Sequence, residues 1–311
     1  MKYRRLGKTG LKVSVIGVGT WQFGGEWGAT FNEAQAADIL SAARDQGINL
    51  IDTAECYGDH ESERLIGSFL KKDGRAGWIV ATKFGHRFTR KFEREHRYGA
   101  GEVLEQLEES LKALQTDYID IYQFHSGPDE VFDNDELWTM LDKQVKAGKI
   151  RHLGISIAKN DNIHQTSSAT RVGASVIQVV YNRLDREPEK AVFPSCMEQD
   201  LGVLARVPLA SGFLSGKYKP GATFGPDDVR HRQDPERVAE RLREVERIRR
   251  DEVPAGMDMA QWALAWCLKH PAVTCVIPGC KSVQQVLDNA AAVRYVGEDH
   301  PQAWKEAVSP S

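Results

Sequence analysis

Four side chains of unlike chemistry stand at or just after the ends of apolar runs. Asp52 closes INLID (48–52) and Tyr57 follows five residues later; Lys83 closes WIVATK (78–83) and His125 closes YIDIYQFH (118–125). A tyrosine near pKa 10 is a poor acid at neutral pH, but a lysine ammonium beside it stabilises its phenolate and lowers that pKa. An aspartate paired with the lysine holds the ammonium in place and keeps it charged. A histidine across from them can orient a carbonyl oxygen or relay its proton. The set suits protonation of an oxygen that gains negative charge as hydride arrives. That is carbonyl reduction, or alcohol oxidation in reverse. Singly, each residue has a plain structural reading: a turn cap, a snorkelling lysine, a satisfied core histidine, a packed tyrosine. The combination is what points to a reaction. No activated nucleophile accompanies it, and no metal site is expected, since His60 and Glu61 are adjacent rather than at ligand spacing.

Elements that could bring these four together recur along the chain. Apolar, β-branched runs of strand length occur at 13–19, 48–52, 78–83, 118–125, 152–157, 175–182, 202–207 and 273–279. Between them, helical patterns cover Asn32 to Asp45, Ser62 to Lys71, Gly101 to Leu114, Asp133 to Lys146, Met257 to His270 and Val283 to Ala292. The patterns after 159 and across 185–200 are weaker. Strands alternating with helices imply parallel pairing through crossover helices. Eight such units predict an α/β fold, a (β/α)8 TIM barrel filling residues 1–311 as one domain, with its chemistry where strands end. A doubly wound open sheet would carry a glycine fingerprint straight after its first strand. Here GVGTWQFGG (17–25) runs on as a loop, with no apolar helix starting at the glycines. In LIDTAECYGDHESERLIG (50–67), Ser62 is the expected cap of the following helix and Cys56 a bystander.

Composition narrows the partners. Hydrophobic residues make up 41% and charged residues 27% of the chain, with a net charge of -3, so nothing favours nucleic acid or an anionic membrane as partner. The apolar run VSVIGVG is too short and glycine-broken for a signal peptide or a membrane span. Five scattered cysteines without a CxxC pair read as reduced thiols of a cytoplasmic protein. No self-complementary apolar strip specifies an oligomeric state.

With the quartet and its elements in place, the chain resembles the aldo-keto reductase family from Tyr3 to about Val293. The matching stretches are GVGTWQFGG (17–25), IDTAECYGDHESERLIG (51–67), ATKFG (81–85), TDYIDIYQFH (116–125), KAGKIRHLGIS (146–156), QVVYN (178–182), PLASGFLSGKY (208–218) and IPGCKSVQQVLDN (277–289). Within the family it is similar to bacterial NADP-dependent reductases related to potassium-channel β subunits. The resemblance implies that Tyr57 is the proton donor, Lys83 and Asp52 its electrostatic partners, and His125 the carbonyl-orienting residue. It also implies a nicotinamide cofactor lying across the barrel mouth. Gly19, Thr20, Trp21 and Asp52 would border its nicotinamide end, and Ser156 and Gln178 would bond its carboxamide. Pro208, Leu209, Ser211, Gly212, Ser215 and Lys217 would wrap the pyrophosphate, where small residues let backbone approach phosphate closely. Gly279, Lys281, Gln285, Asp288 and Asn289 would cover the adenosine end.

Three departures from the family pattern bear on specificity. Gly279 and Gln285 stand where many members carry a lysine and an arginine for the ribose 2′-phosphate; Lys281, with Arg230 or Arg232, could replace those cations. NADP(H) is favoured over NAD(H) on that ground. Arg206 ends the seventh strand where an aromatic ring commonly stacks on nicotinamide, and its charge disfavours an adjacent oxidised ring. The stretch HRFTRKFEREHRYG (86–99) interleaves cations and aromatics near Lys83; a solvated excursion is its leading reading, a substrate-holding wall the other. Trp21, Phe23, Trp27 and Tyr57 would allow a sugar to stack. The expected substrate is therefore a small carbonyl compound, sugar-derived aldehydes and ketoses first. A cofactor-binding regulatory module with slow or no turnover is the alternative.

Overall fold

The structure, a computed structural model, describes residues 1–305. Eight parallel strands form its central sheet: β1 (Val18–Gly19), β2 (Leu50–Asp52), β3 (Ile79–Phe84), β4 (Ile119–His125), β5 (Ile150–Ser156), β6 (Ala174–Val180), β7 (Gly202–Arg206) and β8 (Cys275–Ile277). Neighbours in sequence are neighbours in the sheet, and parallel bridges Ile16–Val276 and Gly19–Gly279 join the first strand to the last. The result is the expected (β/α)8 barrel. Gly19 permits the closure, because a Cβ there would lie 2.8 Å from the Ile277 carbonyl oxygen.

The helices are α1 (Glu33–Asp45), α2 (Glu61–Asp73), α3 (Ala100–Leu114), α4 (Asp129–Phe132), α5 (Asp135–Lys146), α6 (Ile163–Ser167), α7 (Val192–Glu198), α8 (Pro235–Asp251), α9 (Met259–Leu268) and α10 (Val283–Ala291). Their starts follow local chemistry: Asn32, Asn134, Asn162, Asp234, Asp258 and Ser282 each accept a first-turn backbone N–H. The helix α8 lies in a stretch for which no element was expected. Its run of Glu and Arg left only Val238, Leu242, Val245 and Ile248 to mark the buried stripe.

The first expected strand, 13–19, divides in two. Lys12–Ser14 pairs antiparallel with Tyr3–Arg5, while Ile16 bridges to β8 and Val18–Gly19 pairs with β2. The hairpin closes the bottom, where Leu6 and Val13 pack against Leu50, Ala81, Ile121, Val176, Leu204 and Cys275. Two residues further along the even strands, on the same inward face, stand Asp52, Gln123 and Gln178. The apolar filling of the barrel thus gives way to a polar floor at the end where the strands stop.

Candidate active site

Tyr57 is placed by a tight turn and by close packing of backbone on backbone. After β2 the chain turns with Tyr57 N–H donating to the Ala54 carbonyl and His60 N–H to that of Glu55. Gly24 packs against this turn so closely that a Cβ would meet the Tyr57 carbonyl carbon at 2.6 Å. The expected cap of α2 is corrected: His60, in left-handed backbone at φ 64°, occupies the N-cap position, and Ser62 lies inside the helix. Ser62 is buried and binds below the site instead, its Oγ within 2.9 Å of both Thr53 Oγ1 and Thr20 Oγ1. That hydroxyl cluster ties the ends of β1 and β2 to the start of α2.

The four expected groups converge at the barrel mouth. Lys83 Nζ donates to Asp52 Oδ2 at 2.8 Å and to the Thr53 carbonyl at 2.7 Å, and lies 3.4 Å from Tyr57 Oη. Asp52 Oδ1 accepts from Gln178 Nε2 at 2.7 Å and from Gln123 Nε2 at 3.3 Å. The carboxylate is therefore pinned from both sides of the barrel. Burial works against the Lys83 charge, but Asp52 and Tyr57 outweigh it and raise its pKa. For Tyr57 the balance corrects the expectation of a lowered pKa. Burial raises the phenol to about 12 and Lys83 only pulls against it, so the hydroxyl stays protonated around neutral pH. His125 packs edge-on to Tyr57 at 6.4 Å and is held neutral, by burial first and then by His86 and Lys83.

The mouth opens into a cavity of about 780 Å³, large enough for a dinucleotide-sized or drug-sized ligand. Its walls include Gly19, Thr20, Trp21, Asp52, Tyr57, His125, Gln178 and Arg206, then Pro208, Leu209, Ser211, Gly212, Ser215 and Lys217, and finally Gly279, Lys281, Gln285, Asp288 and Asn289. Of the residues expected around the cofactor, only Ser156 stands outside this wall; it ends β5, buried, beside His125 in the sheet. Lys83 is covered by the residues in front of it. Four buried polar atoms of this wall lack a partner: Gln22 Oε1, Trp27 Nε1, His86 Nε2 and Arg206 Nε. Unpaired donors and acceptors at a cavity are what a polar ligand would satisfy, so the residues fit a nucleotide cofactor. Arg230 and Arg232 also face the cavity; Arg230 is already held by Asp228 at 2.6 Å.

The aldo/keto reductase family profile matches residues 15–305. The chain belongs to that family. It is 34% identical over 294 residues to aldo-keto reductase YhdN of Bacillus subtilis (strain 168), covering 92% of this chain and 87% of that protein. Among solved structures it resembles the holo form of aldo-keto reductase AKR11C1 from Bacillus halodurans, at a TM-score of 0.79 and 32% identity over 94% of this chain and 91% of that one. It also resembles glycerol dehydrogenase AKR11B4 from Gluconobacter oxydans, at a TM-score of 0.78 and 28% identity over 96% and 91%. An oxidoreductase role follows from the family. Among the described residues, no helix is long and apolar enough to cross a membrane.

The 86–99 stretch of this aldo/keto reductase is largely the solvated excursion expected, with Arg90 paired to Glu93 and Arg97 to Glu95, but it is ordered and has an inward side. His86–Arg90 and Glu93–His96 form a β-hairpin, and His86, Phe92 and Arg94 line the cavity beside Tyr57. Glu26, which carried no signal in the sequence, holds it there. Its carboxylate accepts from Trp21 Nε1 at 2.8 Å, Phe92 N–H at 2.7 Å and Arg94 at 2.5 Å, all while 1% exposed. Phe23 is corrected in the opposite sense: it is buried against Phe31 and away from the cavity, leaving Trp21, Trp27 and Tyr57 as the aromatic wall. Cys56 is buried with its sulfur 3.9 Å from His125 Nδ1, and Cys56, His86 and His125 could together hold a metal ion. No such cluster was expected from the sequence, although His86 and His125 follow Phe84 and Phe124, which pair in the neighbouring strands β3 and β4.

Proposed function

We propose that this protein reduces small carbonyl compounds with NADPH, or oxidises the matching alcohols in reverse, with Tyr57 as general acid and base. The observation that carries the reading is Lys83 Nζ set between Asp52 Oδ2 at 2.8 Å and Tyr57 Oη at 3.4 Å at the cavity floor. The bound nicotinamide supplies the hydride. Tyr57 gives its hydroxyl proton to the carbonyl oxygen as the carbonyl carbon takes the hydride, and the product is an alcohol. Lys83 stabilises the phenolate left behind, and Asp52 keeps Lys83 charged and aimed. His125, neutral, donates a hydrogen bond that orients the carbonyl oxygen.

Cofactor contacts are assigned on the same reading. Gly19, Thr20 and Trp21 take the nicotinamide end, with Ser156 and Gln178 toward its carboxamide. The 208–217 turn takes the pyrophosphate, helped by left-handed backbone at Ser211 and Gly212. Lys281 Nζ, anchored on the Trp27 carbonyl at 2.5 Å, lies near enough to Arg230 and Lys217 for their charges to lower its pKa, after burial as the larger cause. Arg230 is already paired with Asp228, so Lys281 and Lys217 on the cavity wall are the cations left to suit a phosphate, which favours NADPH over NADH. Sugar-derived aldehydes and ketoses lead as substrates, supported by the Trp21 and Trp27 wall and by the glycerol dehydrogenase among the structural relatives. A cytoplasmic location accords with five free, buried cysteines.

Initial rates of NADPH oxidation with a panel of sugars and small aldehydes, and of NADP⁺ reduction with polyols, test this reading. Turnover with several carbonyls, undisturbed by chelator, is expected. No turnover above background with any of them would favour a cofactor-binding regulatory module.

A further inference from the structure

Cys56, His86 and His125 come from three separate segments: the turn after β2, the start of the hairpin and the end of β4. Their ligand atoms all lie within 4.8 Å of one another, and Cys56 Sγ is 3.9 Å from His125 Nδ1. His86 Nε2 is buried without a hydrogen-bond partner. All three residues border the cavity. One thiol and two imidazoles are a donor set for zinc and similar thiophilic ions, and a poor one for magnesium or calcium. A tetrahedral zinc, with bonds of about 2.3 Å to sulfur and about 2.0–2.1 Å to nitrogen, spans ligand edges of about 3.5 Å. A contraction on the order of an ångström therefore closes the site. The two imidazole rings stand 4.4 Å apart and 23° from parallel, so closure turns one ring towards the other. Arg94 lies beside Cys56, but its charge is answered by Glu26 at 2.5 Å.

We propose that Cys56, His86 and His125 form an inhibitory binding site for a zinc-class divalent cation, with its fourth coordination position open to the cavity. On binding, the Cys56 S–H bond breaks, its proton leaves to solvent and a sulfur–metal bond forms; no oxidation state changes. The ion immobilises His125 and blocks the approach of the carbonyl oxygen. It therefore competes with the carbonyl substrate and not with the nucleotide. This inhibitory consequence rests on the reductase reading above; the binding itself does not.

The test uses the full chain with Co²⁺ as an optical probe for the zinc site. One equivalent is expected to give an intense thiolate-to-cobalt charge-transfer band in the near ultraviolet, which Zn²⁺ abolishes by displacement. Cys56→Ser should lose the band. His86→Gln should weaken Co²⁺ binding by more than about tenfold, since losing even an outer partner of a metal ligand costs that much. Both variants are checked for the wild-type circular dichroism and thermal transition, and Cys56→Ala replaces any that misfolds. Zn²⁺ should raise KM for the carbonyl substrate in the wild type and much less in His86→Gln. A Co²⁺ complex without the band, or undiminished binding by His86→Gln, would overturn the site. Inhibition competitive with NADPH would overturn the proposed block. A protein that turns over no carbonyl at all would count against the reductase reading, while the optical experiment still decides the site.

Discussion

At the scale of single residues, two groups near the mouth sit in tension with their surroundings. The Arg206 guanidinium, ending β7, has one bond at 3.3 Å to the Ile157 carbonyl and an Nε without a partner. Burial lowers its pKa while Tyr57 and Asp52 act to raise it. A fixed positive charge at this place should oppose an oxidised nicotinamide more than a reduced one. Arg206→Leu is therefore expected to tighten NADP⁺ relative to NADPH by at least about tenfold, since a charge pair about 4 Å apart at an effective dielectric of about 20 amounts to about 4 kcal/mol. Fluorescence titration of both redox forms measures it, and equal changes in the two affinities would refute the charge argument. Glu55 is buried, one of its carboxyl oxygens unpaired, and its pKa is lifted from 4.5 to about 8 by burial and then by Glu63. The folded chain thus holds a proton that the unfolded chain releases between those values. Stability from this group is full below pH 4.5 and is lost as pH rises towards 8. Glu55→Gln should flatten the fall in Tm between about pH 5 and about pH 8; a fall as steep as in the wild type would show that Glu55 is not its source.

At the scale of elements, the hairpin is the piece that turns a generic barrel mouth into this cavity. Glu26 fixes it by binding Phe92 and Arg94 from the hairpin and Trp21 from the loop after β1. Removing one partner of a buried ion pair costs about 3–5 kcal/mol. Glu26→Ala should lower Tm and speed amide exchange at 86–96 while β4 keeps its protection. Exchange unchanged in the hairpin would mean that other contacts hold it. The barrel strands were legible because buried parallel strands read as apolar, β-branched runs, and β2 to β7 fell close to their expected bounds. The division of 13–19 was not legible, since Val13 and Val18 are equally buried and differ only in which partner they pair with. The hairpin was hidden because His86–Arg90 is mostly exposed, with only His86 of that strand lining the cavity. Ser62 misled because serine caps helices and also fits buried hydroxyl networks; the left-handed turn at His60 places the cap two residues before it.

At the scale of the molecule, the barrel works as a holder. Its lower half is filled by apolar side chains that fix the strands, and its upper rim carries Asp52, Lys83 and His125 on three of them. The site was largely legible in the sequence because strand ends are determined by local pattern, and a barrel brings all strand ends to one face. What stayed hidden, above all the hold of Glu26 on the hairpin, depends on contacts between loops that no spacing encodes. A cofactor laid across this rim should stabilise the whole barrel, by about 2.7 kcal/mol at a hundredfold excess over Kd. NADPH is expected to raise Tm more than NADH at equal concentration, and Lys281→Ala to narrow the difference; equal shifts from both in the wild type would remove the case for a 2′-phosphate site. The most direct measurement is single-turnover carbonyl reduction by the preformed NADPH complex, comparing the wild type with Tyr57→Phe. A proton-donating Tyr57 predicts a loss of about 10²–10⁴-fold in the reduction step with cofactor affinity retained. Reduction at an undiminished rate in Tyr57→Phe would contradict it.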